Sequence, residues 1–159
     1  EKVTLNIGVG KTGEELEKAS TILTMVSGAK PVLTAAKVKQ PTWGIREGLT
    51  IGTKATLRGE DAINFLNLAF QAIDKRVKKK SFDKVGNFGF GVKEYIDMPN
   101  AKYDPRLGIR GFDVLVTLER PGYRVKKRKQ RSAPLGKKHI IKPEEAMDFV
   151  KGKFGVEII

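Results

Sequence analysis

The sequence predicts an α+β fold, in which a mostly antiparallel β-sheet carries helices packed on one face. Two observations lead to this prediction. Several short segments alternate between apolar and polar residues, as strands with one buried face do. Between them lie stretches with apolar residues at helical spacing, in the order strand, helix, strand, strand, helix, two or more strands, helix. With 159 residues and neither an internal repeat nor a linker, we expect one domain over residues 1–159.

The first strand and the first helix follow each other at the start of the chain. Every second residue of this strand is apolar: Val3, Leu5 and Ile7. The helix has an apolar stripe made of Leu16, Ala19, Ile22, Leu23 and Val26. Thr12 and Glu15 have the spacing of a capping box, and Gly28 stands where a C-cap glycine belongs.

The middle of the chain predicts two strands and a second helix. We expect strands over residues 31–36 and 54–58, with Ala55 and Leu57 inward in the latter. The second helix follows Gly59 and runs into the basic residues 75–80. Its predicted apolar stripe comprises Ile63, Leu66, Phe70, Ile73 and Val77.

Two more strands and a final helix complete the prediction. One strand has the apolar residues Phe88, Phe90 and Val92. The other has Phe112, Val114, Val116 and Leu118. Pro143 suits the first turn of a helix. The apolar residues of that helix are Ala146, Phe149, Val150 and Phe154.

Composition points to a polyanionic partner. The chain has 31 Lys and Arg against 18 Asp and Glu, a net charge of +13, which favours nucleic acid. No long apolar run or basic amphipathic helix indicates a membrane. Without cysteine and with one histidine, disulfides, thiolate metal sites and a Ser-His-Asp triad are excluded, and a reducing compartment fits. We therefore expect no catalytic residue, no metal and no cofactor.

The stretch NIGVGKTGEE, residues 6–15, has some features of a phosphate-binding loop. A Walker loop requires G-x-x-x-x-G-K-[ST], and Gly10, Lys11 and Thr12 supply its end. Its first glycine would fall at Leu5, inside the predicted strand. The spacing thus favours a glycine turn with Thr12 as helix cap over a nucleotide hydrolase that uses Lys11 and Thr12.

Two basic segments are candidates for RNA contact. Five of the six residues 75–80 are basic, as are eight of the fifteen residues 124–138. The candidates in the second are Arg124, Lys126, Lys127, Arg128, Lys129 and Arg131. Each run alone is equally compatible with a solvated surface, and cations at residues 75–80 would also suit a helix C-terminus. We place His139 in the same basic strip.

The loop of residues 37–48 carries the only tryptophan. Its candidates for contact with RNA are Lys37, Lys39, Gln40, Trp43 and Arg46. Trp43 either stacks on a nucleobase or folds back onto the core, and the residues alone leave both open.

The polar residues of the strands would form a platform on the face that the helices leave open. They are Thr4, Asn6, Lys54, Thr56 and Arg58. Such a mixture of cations, hydroxyls and an amide suits the backbone and exposed bases of folded RNA, so this opposite face is the predicted RNA-binding face.

Several motifs, in this order, resemble one family: VTLNIGVG, SGAKP, GIREGLTIGTKATLRGEDAINFL, FDKVGNFGFGVKE, YDPRLGIRGFDV and RPGYRVKKRK. The chain is similar to the universal large-subunit ribosomal protein family numbered five, which binds 5S rRNA. The segments RSAPLGKKH and KPEEAMDFVKGKFGVEI resemble its archaeal and eukaryotic branch, and lean archaeal. Family members begin with a helical segment that would precede Glu1.

The resemblance implies a non-catalytic role on the cytoplasmic ribosome. The open face would bind 5S rRNA through Asn6, Lys30, Thr56 and Arg58, and anchor it in the central protuberance. Ala29 stands where the family often has glutamine. The loop of residues 37–48 would be mobile and reach the peptidyl-site tRNA.

Further implied partners are large-subunit rRNA, neighbouring proteins of the central protuberance and the small-subunit head, the last near residues 82–87. The alternative is a free-standing basic protein that binds RNA or DNA outside the ribosome.

Overall fold

The computed structural model describes all residues, 1–159. The strands are β1 (Lys2–Gly8), β2 (Val32–Ala35), β3 (Thr50–Leu57), β4 (Arg76–Val77), β5 (Phe88–Val92), β6 (Phe112–Thr117) and β7 (Glu157–Ile158). The helices are α1 (Glu14–Ser27), α2 (Gly59–Ala72), α3 (Arg124–Lys127) and α4 (Pro143–Phe154). Every predicted strand and helix is present, with ends that shift by a few residues.

Five strands form one antiparallel sheet in the order β2-β3-β1-β6-β5. The first strand of the chain, β1, lies at its centre, paired with β3 on one side and β6 on the other. Val3, Leu5 and Ile7 of β1 are buried, because one face of the sheet is covered by the helices. The predicted fold class is confirmed.

Helix α1 buries the face that its sequence predicts. Its buried residues are Leu16, Ala19, Ile22, Leu23 and Val26. Gly28 ends the helix with φ 67°, and its N–H donates to the Thr24 carbonyl. The capping box at the other end is wrong: Gly13 is the N-cap, with φ 102°. Thr12 lies before the N-cap and Glu15 is the second residue of the helix, so the pair lacks the N-cap and N3 positions that a capping box requires, and no side chain caps this end.

Helix α2 is shorter than predicted, and its apolar face is rotated. Its buried residues are Ala62, Phe65, Leu66, Ala69 and Phe70. Ile63 is exposed, and Val77 lies in β4, beyond the helix. Asp74 and Lys75 break the helix with φ of 54° and 55°. Only Leu66 and Phe70 of the predicted stripe are therefore buried on this helix.

The phenylalanines of the core gather around Phe70. Its ring lies 5.4 Å from the ring of Phe90 on β5 and 5.2 Å from that of Phe154 on α4, between centroids. Aromatic pairs at this spacing add to the free energy gained from burial.

The C-terminal part of the chain closes the helical side. Pro143 begins α4 as predicted, and Val150 is buried in the main core, whereas Phe149 is exposed. Strand β7 pairs in parallel with β4, and the Lys79 N–H donates to the Ile159 carbonyl at 2.7 Å. None of the helices combines the length and the apolar composition that crossing a membrane requires.

Candidate nucleic-acid interface

The open face of the sheet brings together three of the predicted RNA-binding side chains. Asn6 is paired with Lys54, and Thr4 with Thr56, across β1 and β3. Directly opposed residues of an antiparallel pair point to the same face, with Cβ atoms about 4.5–5.5 Å apart. Asn6 is half-buried, while Lys54 and Thr56 are exposed. The sheet thus presents an ammonium, hydroxyls and an amide side by side.

Arg58 and Lys30 flank this platform. Arg58 lies just beyond β3, where it is the N-cap residue of α2, and its side chain is exposed. Lys30 is exposed in the turn between Gly28 and β2, at the same end of the sheet. The neighbouring Ala29 is half-buried.

A carboxylate neutralises part of this charge. Arg58 donates a hydrogen bond to Glu1, whose carboxylate also lies 3.7 Å from the Lys127 ammonium. Lys127 in turn forms an ion pair with Glu119. The hydrogen bond from Arg58 lowers the pKa of Glu1, and the hydrogen bond to Glu119 raises the pKa of Lys127. These four charges link the sheet to the segment that carries Lys127.

The segment of residues 124–131 has a defined fold at this end of the sheet. Its first four residues form α3, and Arg128 donates through Nε to the Arg131 carbonyl at 2.7 Å. All six of its predicted contact residues are exposed. Only Lys127 is paired with a carboxylate. The other five cations are free to meet phosphate.

His139 has a structural role at the base of this segment. Its Nε2 lies 2.9 Å from the Pro121 carbonyl, and its own carbonyl accepts a hydrogen bond from the Tyr123 hydroxyl at 3.2 Å. The same hydroxyl accepts from the Ile141 N–H at 2.9 Å. These contacts join residues 121–123 to residues 139–141 and so hold together the two ends of the stretch that contains the basic residues.

The loop of residues 37–48 lies at the opposite end of the sheet, between β2 and β3. Gln40 and Ile45 exchange two backbone hydrogen bonds of 2.8 and 3.0 Å around a 3₁₀ turn over Pro41–Trp43. Trp43 is 74% exposed, and the buried side chain of the loop is Ile45. The possibility that Trp43 packs on the core is therefore wrong. Lys37, Lys39, Gln40 and Arg46 are exposed around it.

The basic residues 75–80 do not end a helix. Helix α2 stops at Ala72 and has no basic residue in its last turn. The segment instead forms β4 and a 3₁₀ turn over Lys79–Ser81, and its five cations are exposed. The interpretation as a dipole-compensating helix end is wrong, because the helix ends at Ala72, before the first of these cations, and Asp74 and Lys75 have positive φ angles.

The glycine turn after β1 forms no phosphate-binding loop. Leu5 is fully buried in the central strand, and Lys11 and Thr12 are exposed in the turn. No group of three or more histidine, aspartate or glutamate side chains is arranged to hold a metal ion.

The sequence interpretation missed two residues of the open face. Asp113 is paired with Asn6, and Leu115 with Thr4, on the far side of β1 from β3. Both are exposed. The signal was available, since an alternation that puts Phe112, Val114 and Val116 inward puts the intervening residues outward.

Family models match nearly the whole chain. The model described as ribosomal protein L5 matches residues 1–46, and the model of the ribosomal L5P family C-terminus matches residues 50–149. The chain belongs to the ribosomal protein L5 family. Members of this family are structural proteins, and the chain is not an enzyme. The proposed resemblance is confirmed.

Relatives from three archaea align with the full chain. The large ribosomal subunit protein uL5 of Methanococcus vannielii is 48% identical over 162 residues, which cover 100% of this chain and 90% of the relative. The protein of the same name from Sulfurisphaera tokodaii is 48% identical over 160 residues, with the same coverage. That from Nanoarchaeum equitans is 49% identical over 160 residues, covering 100% and 94%. The predicted similarity to the archaeal branch is confirmed.

Proposed function

We propose that the chain, as a structural constituent of the large ribosomal subunit in the cytoplasm, binds 5S rRNA on the open face of its sheet and anchors it in the central protuberance. The main support for this proposal is the arrangement of three polar side chains on the open face. Asn6, Lys54 and Thr56 lie side by side on the face that no helix covers. Family membership makes ribosomal RNA the natural ligand for such a face.

The distribution of positive charge favours binding of RNA that extends beyond the platform, toward one end of the sheet. Lys30 lies at the same end of the sheet as Arg58 and the free cations of residues 124–131. Each cation that meets a phosphate releases counterions, which contributes affinity without sequence preference. The platform's amide and hydroxyls supply contacts to bases and riboses, which carry the preference for one RNA.

The test compares labelled 5S rRNA with an unrelated structured RNA of equal length, across a salt series. We expect 5S rRNA to be preferred and Asn6→Ala to erode this preference by about 1–3 kcal/mol. Lys54→Ala should weaken the binding of both RNAs and lower the salt slope by about one. Lys151→Ala, an exposed cation on the helical side, is the control.

The alternative, a free-standing basic protein outside the ribosome, predicts that both RNAs bind alike and lose affinity in parallel as salt rises. That result would contradict the proposal. A nucleotide hydrolase is not an alternative, because the chain is not an enzyme and Leu5 occupies the place of the first Walker glycine.

We further propose that the loop of residues 37–48 contacts the tRNA in the peptidyl site. Its support is the outward Trp43 with Lys39 and Arg46 near it in sequence, since an exposed aromatic ring between cations suits a base or ribose beside phosphates. Large subunits reconstituted with Trp43→Ala should release peptidyl-site tRNA faster than wild-type subunits. Val38→Ala, a change at another exposed apolar residue of the loop, should leave the rate unchanged.

The contact with the small-subunit head belongs, in this proposal, to residues 82–87. Asp83 gives this turn a fixed shape, because its carboxylate accepts from the N–H groups of Val85 and Asn87 at 2.9 and 2.7 Å. A rigid turn suits a protein contact. Asp83→Ala should weaken the association of the two subunits, measured by light scattering, while 5S rRNA binding is retained.

A further inference from the structure

Asp113 is an unexpected residue on a face that binds a polyanion. It lies on the open face of β6, paired with Asn6, and its side chain is exposed. No lysine or arginine forms an ion pair with it. A free carboxylate repels phosphate, so here it either weakens RNA binding or accepts hydrogen bonds from an uncharged donor.

The surroundings of Asp113 are flat. Its neighbours across β5 on the open face are Gly91 and, one pair further, Gly89 opposite Leu115. A Cβ added to Gly89 would lie 2.8 Å from the Leu115 Cδ2, and one added to Gly91 would lie 3.5 Å from the Asp113 Oδ1. Both side chains of β6 therefore lean over a glycine. We call Gly89, Gly91, Asp113 and Leu115 the glycine shelf.

The glycine shelf has the features of a base-binding surface. Leu115 is 48% exposed and offers apolar area on which a planar base can lie. No side chain of β5 projects past it, because both outward positions of that strand are glycine. The carboxylate at its border offers two acceptor oxygens and no donor.

We propose that the glycine shelf binds one unpaired guanine of the RNA, with the base on Leu115 and its Watson–Crick edge toward Asp113. Guanine is the base whose Watson–Crick edge has two adjacent donors, N1–H and the N2 amino group, to match the two carboxylate oxygens. Adenine, cytosine and uracil each place an acceptor beside their donor. Asn6, opposite Asp113, supplies an amide N–H for the guanine O6.

The inference rests on the proposed binding of 5S rRNA, and the sign of one substitution tests it. Asp113→Asn raises the net charge by one, as does the control Asp148→Asn on the exposed side of α4. If the carboxylate only repels RNA, Asp113→Asn binds 5S rRNA as tightly as the control or more tightly. If it holds a guanine, Asp113→Asn binds about tenfold more weakly despite the added charge.

A chemical probe identifies the nucleotide. Kethoxal reacts with N1 and N2 of unpaired guanines, so one guanine of 5S rRNA should be protected by the wild-type protein and reactive with Asp113→Asn. Replacing that guanine by inosine, which lacks the N2 amino group, should weaken binding of the wild-type protein but not of Asp113→Asn. This measurement on the wild-type protein holds even if the variant folds poorly.

Two outcomes overturn the inference while the proposed function stands. One is that Asp113→Asn binds 5S rRNA at least as tightly as Asp148→Asn does. The other is that the kethoxal reactivity of the guanines is the same with the wild-type protein and with Asp113→Asn. If the wild-type protein shows no preference for 5S rRNA over the unrelated RNA, the proposed function fails, and the guanine site fails with it.

Discussion

The carboxylate of Glu1 pairs with two cations that we propose as RNA contacts. It holds Arg58 and lies close to Lys127. Since an arginine bound to a carboxylate must exchange it for a phosphate, part of the electrostatic gain on binding RNA is lost.

Replacing Glu1 by Gln should therefore strengthen RNA binding. We expect a higher affinity for 5S rRNA and a salt slope steeper by about one, because one more cation is free for phosphate. Glu14→Gln is a matched control, as Glu14 pairs with Lys18 on α1. Equal affinities for the two variants would show that Arg58 meets no phosphate.

The Tyr123 hydroxyl holds the basic segment closed through His139 and Ile141. Tyr123→Phe removes both hydrogen bonds, at about 1 kcal/mol each. Trypsin should then cleave within residues 124–138 faster than in the wild-type protein. Tyr103→Phe, a change at an exposed tyrosine, should leave the cleavage rate unchanged.

Residue-level predictions succeeded where the signal is local. Strand alternation placed Asn6, Lys54 and Thr56 outward, because successive side chains of a strand point to opposite faces. The partner of Arg58 was not predictable, since Glu1 lies 57 residues away in sequence. The residues alone left the orientation of Trp43 open, and the structure buries Ile45 of the same loop while Trp43 is exposed.

The apolar pattern of α2 predicted its buried face only in part. Leu66 and Phe70 are buried as predicted, whereas Ile63 is exposed. The predicted stripe extended its spacing past Ala72, where two residues with positive φ end the helix. The predicted stripe therefore overlaps the buried face at Leu66 and Phe70 but misses Ala62, Phe65 and Ala69.

Two alanine substitutions in α2 test this assignment. Phe70→Ala should lower the free energy of unfolding by about 3–5 kcal/mol, because it removes a ring packed against Phe90 and Phe154. Ile63→Ala should cost far less. Guanidinium denaturation of both variants measures the difference. Similar losses in the free energy of unfolding would show that Ile63 belongs to the buried face, as the sequence predicted.

The start of α4 depends on a carboxylate. Glu145 accepts hydrogen bonds from the Lys142 N–H at 3.2 Å and from Arg120 at 2.7 Å. The hydrogen bond from the Lys142 N–H is the largest effect that lowers the pKa of Glu145 below its ordinary 4.5, and Arg120 adds to it. The unfolded chain therefore binds the proton more readily, so this stabilisation is present above pH 4.5 and lost as the pH falls through the lowered pKa.

The thermal midpoints of the wild-type protein and Glu145→Gln should accordingly differ at about pH 7 and converge as the pH falls below 4.5, through the lowered pKa of Glu145. Glu144→Gln, the exposed neighbour in the same turn, should show a smaller change. A difference that stays constant with pH would rule out Glu145 as its source.

The two segments that match the ribosomal protein L5 family models together form one sheet. Residues 1–46 supply β1 and β2, and residues 50–149 supply β3, β5 and β6. Neither segment completes a sheet alone, because the central strand belongs to the first and both of its neighbours to the second.

We therefore expect residues 1–159 to unfold as one domain. Far-ultraviolet circular dichroism and Trp43 fluorescence should give coincident denaturant transitions. The fluorescence of a Phe82→Trp variant, which reports on the β5 side, provides a third probe. Transitions at different denaturant concentrations would divide the chain into two units.

The fold class was predictable from the sequence, but the strand order was not. Alternation and helical spacing are local and identify elements, whereas pairing joins β1 to a strand more than a hundred residues later. The parallel pair of β4 and β7 is two residues long and leaves no periodic signal.

The central place of β1 also has a consequence for synthesis of the chain. β1 emerges first, yet its second neighbour is complete only when Thr117 has been added. Until then one edge of an alternating, half-apolar strand offers unpaired N–H and C=O groups to other chains. A nascent chain that stalls before this residue is therefore prone to aggregate, and this edge of β1 is protected only once β6 has been synthesised and paired with it.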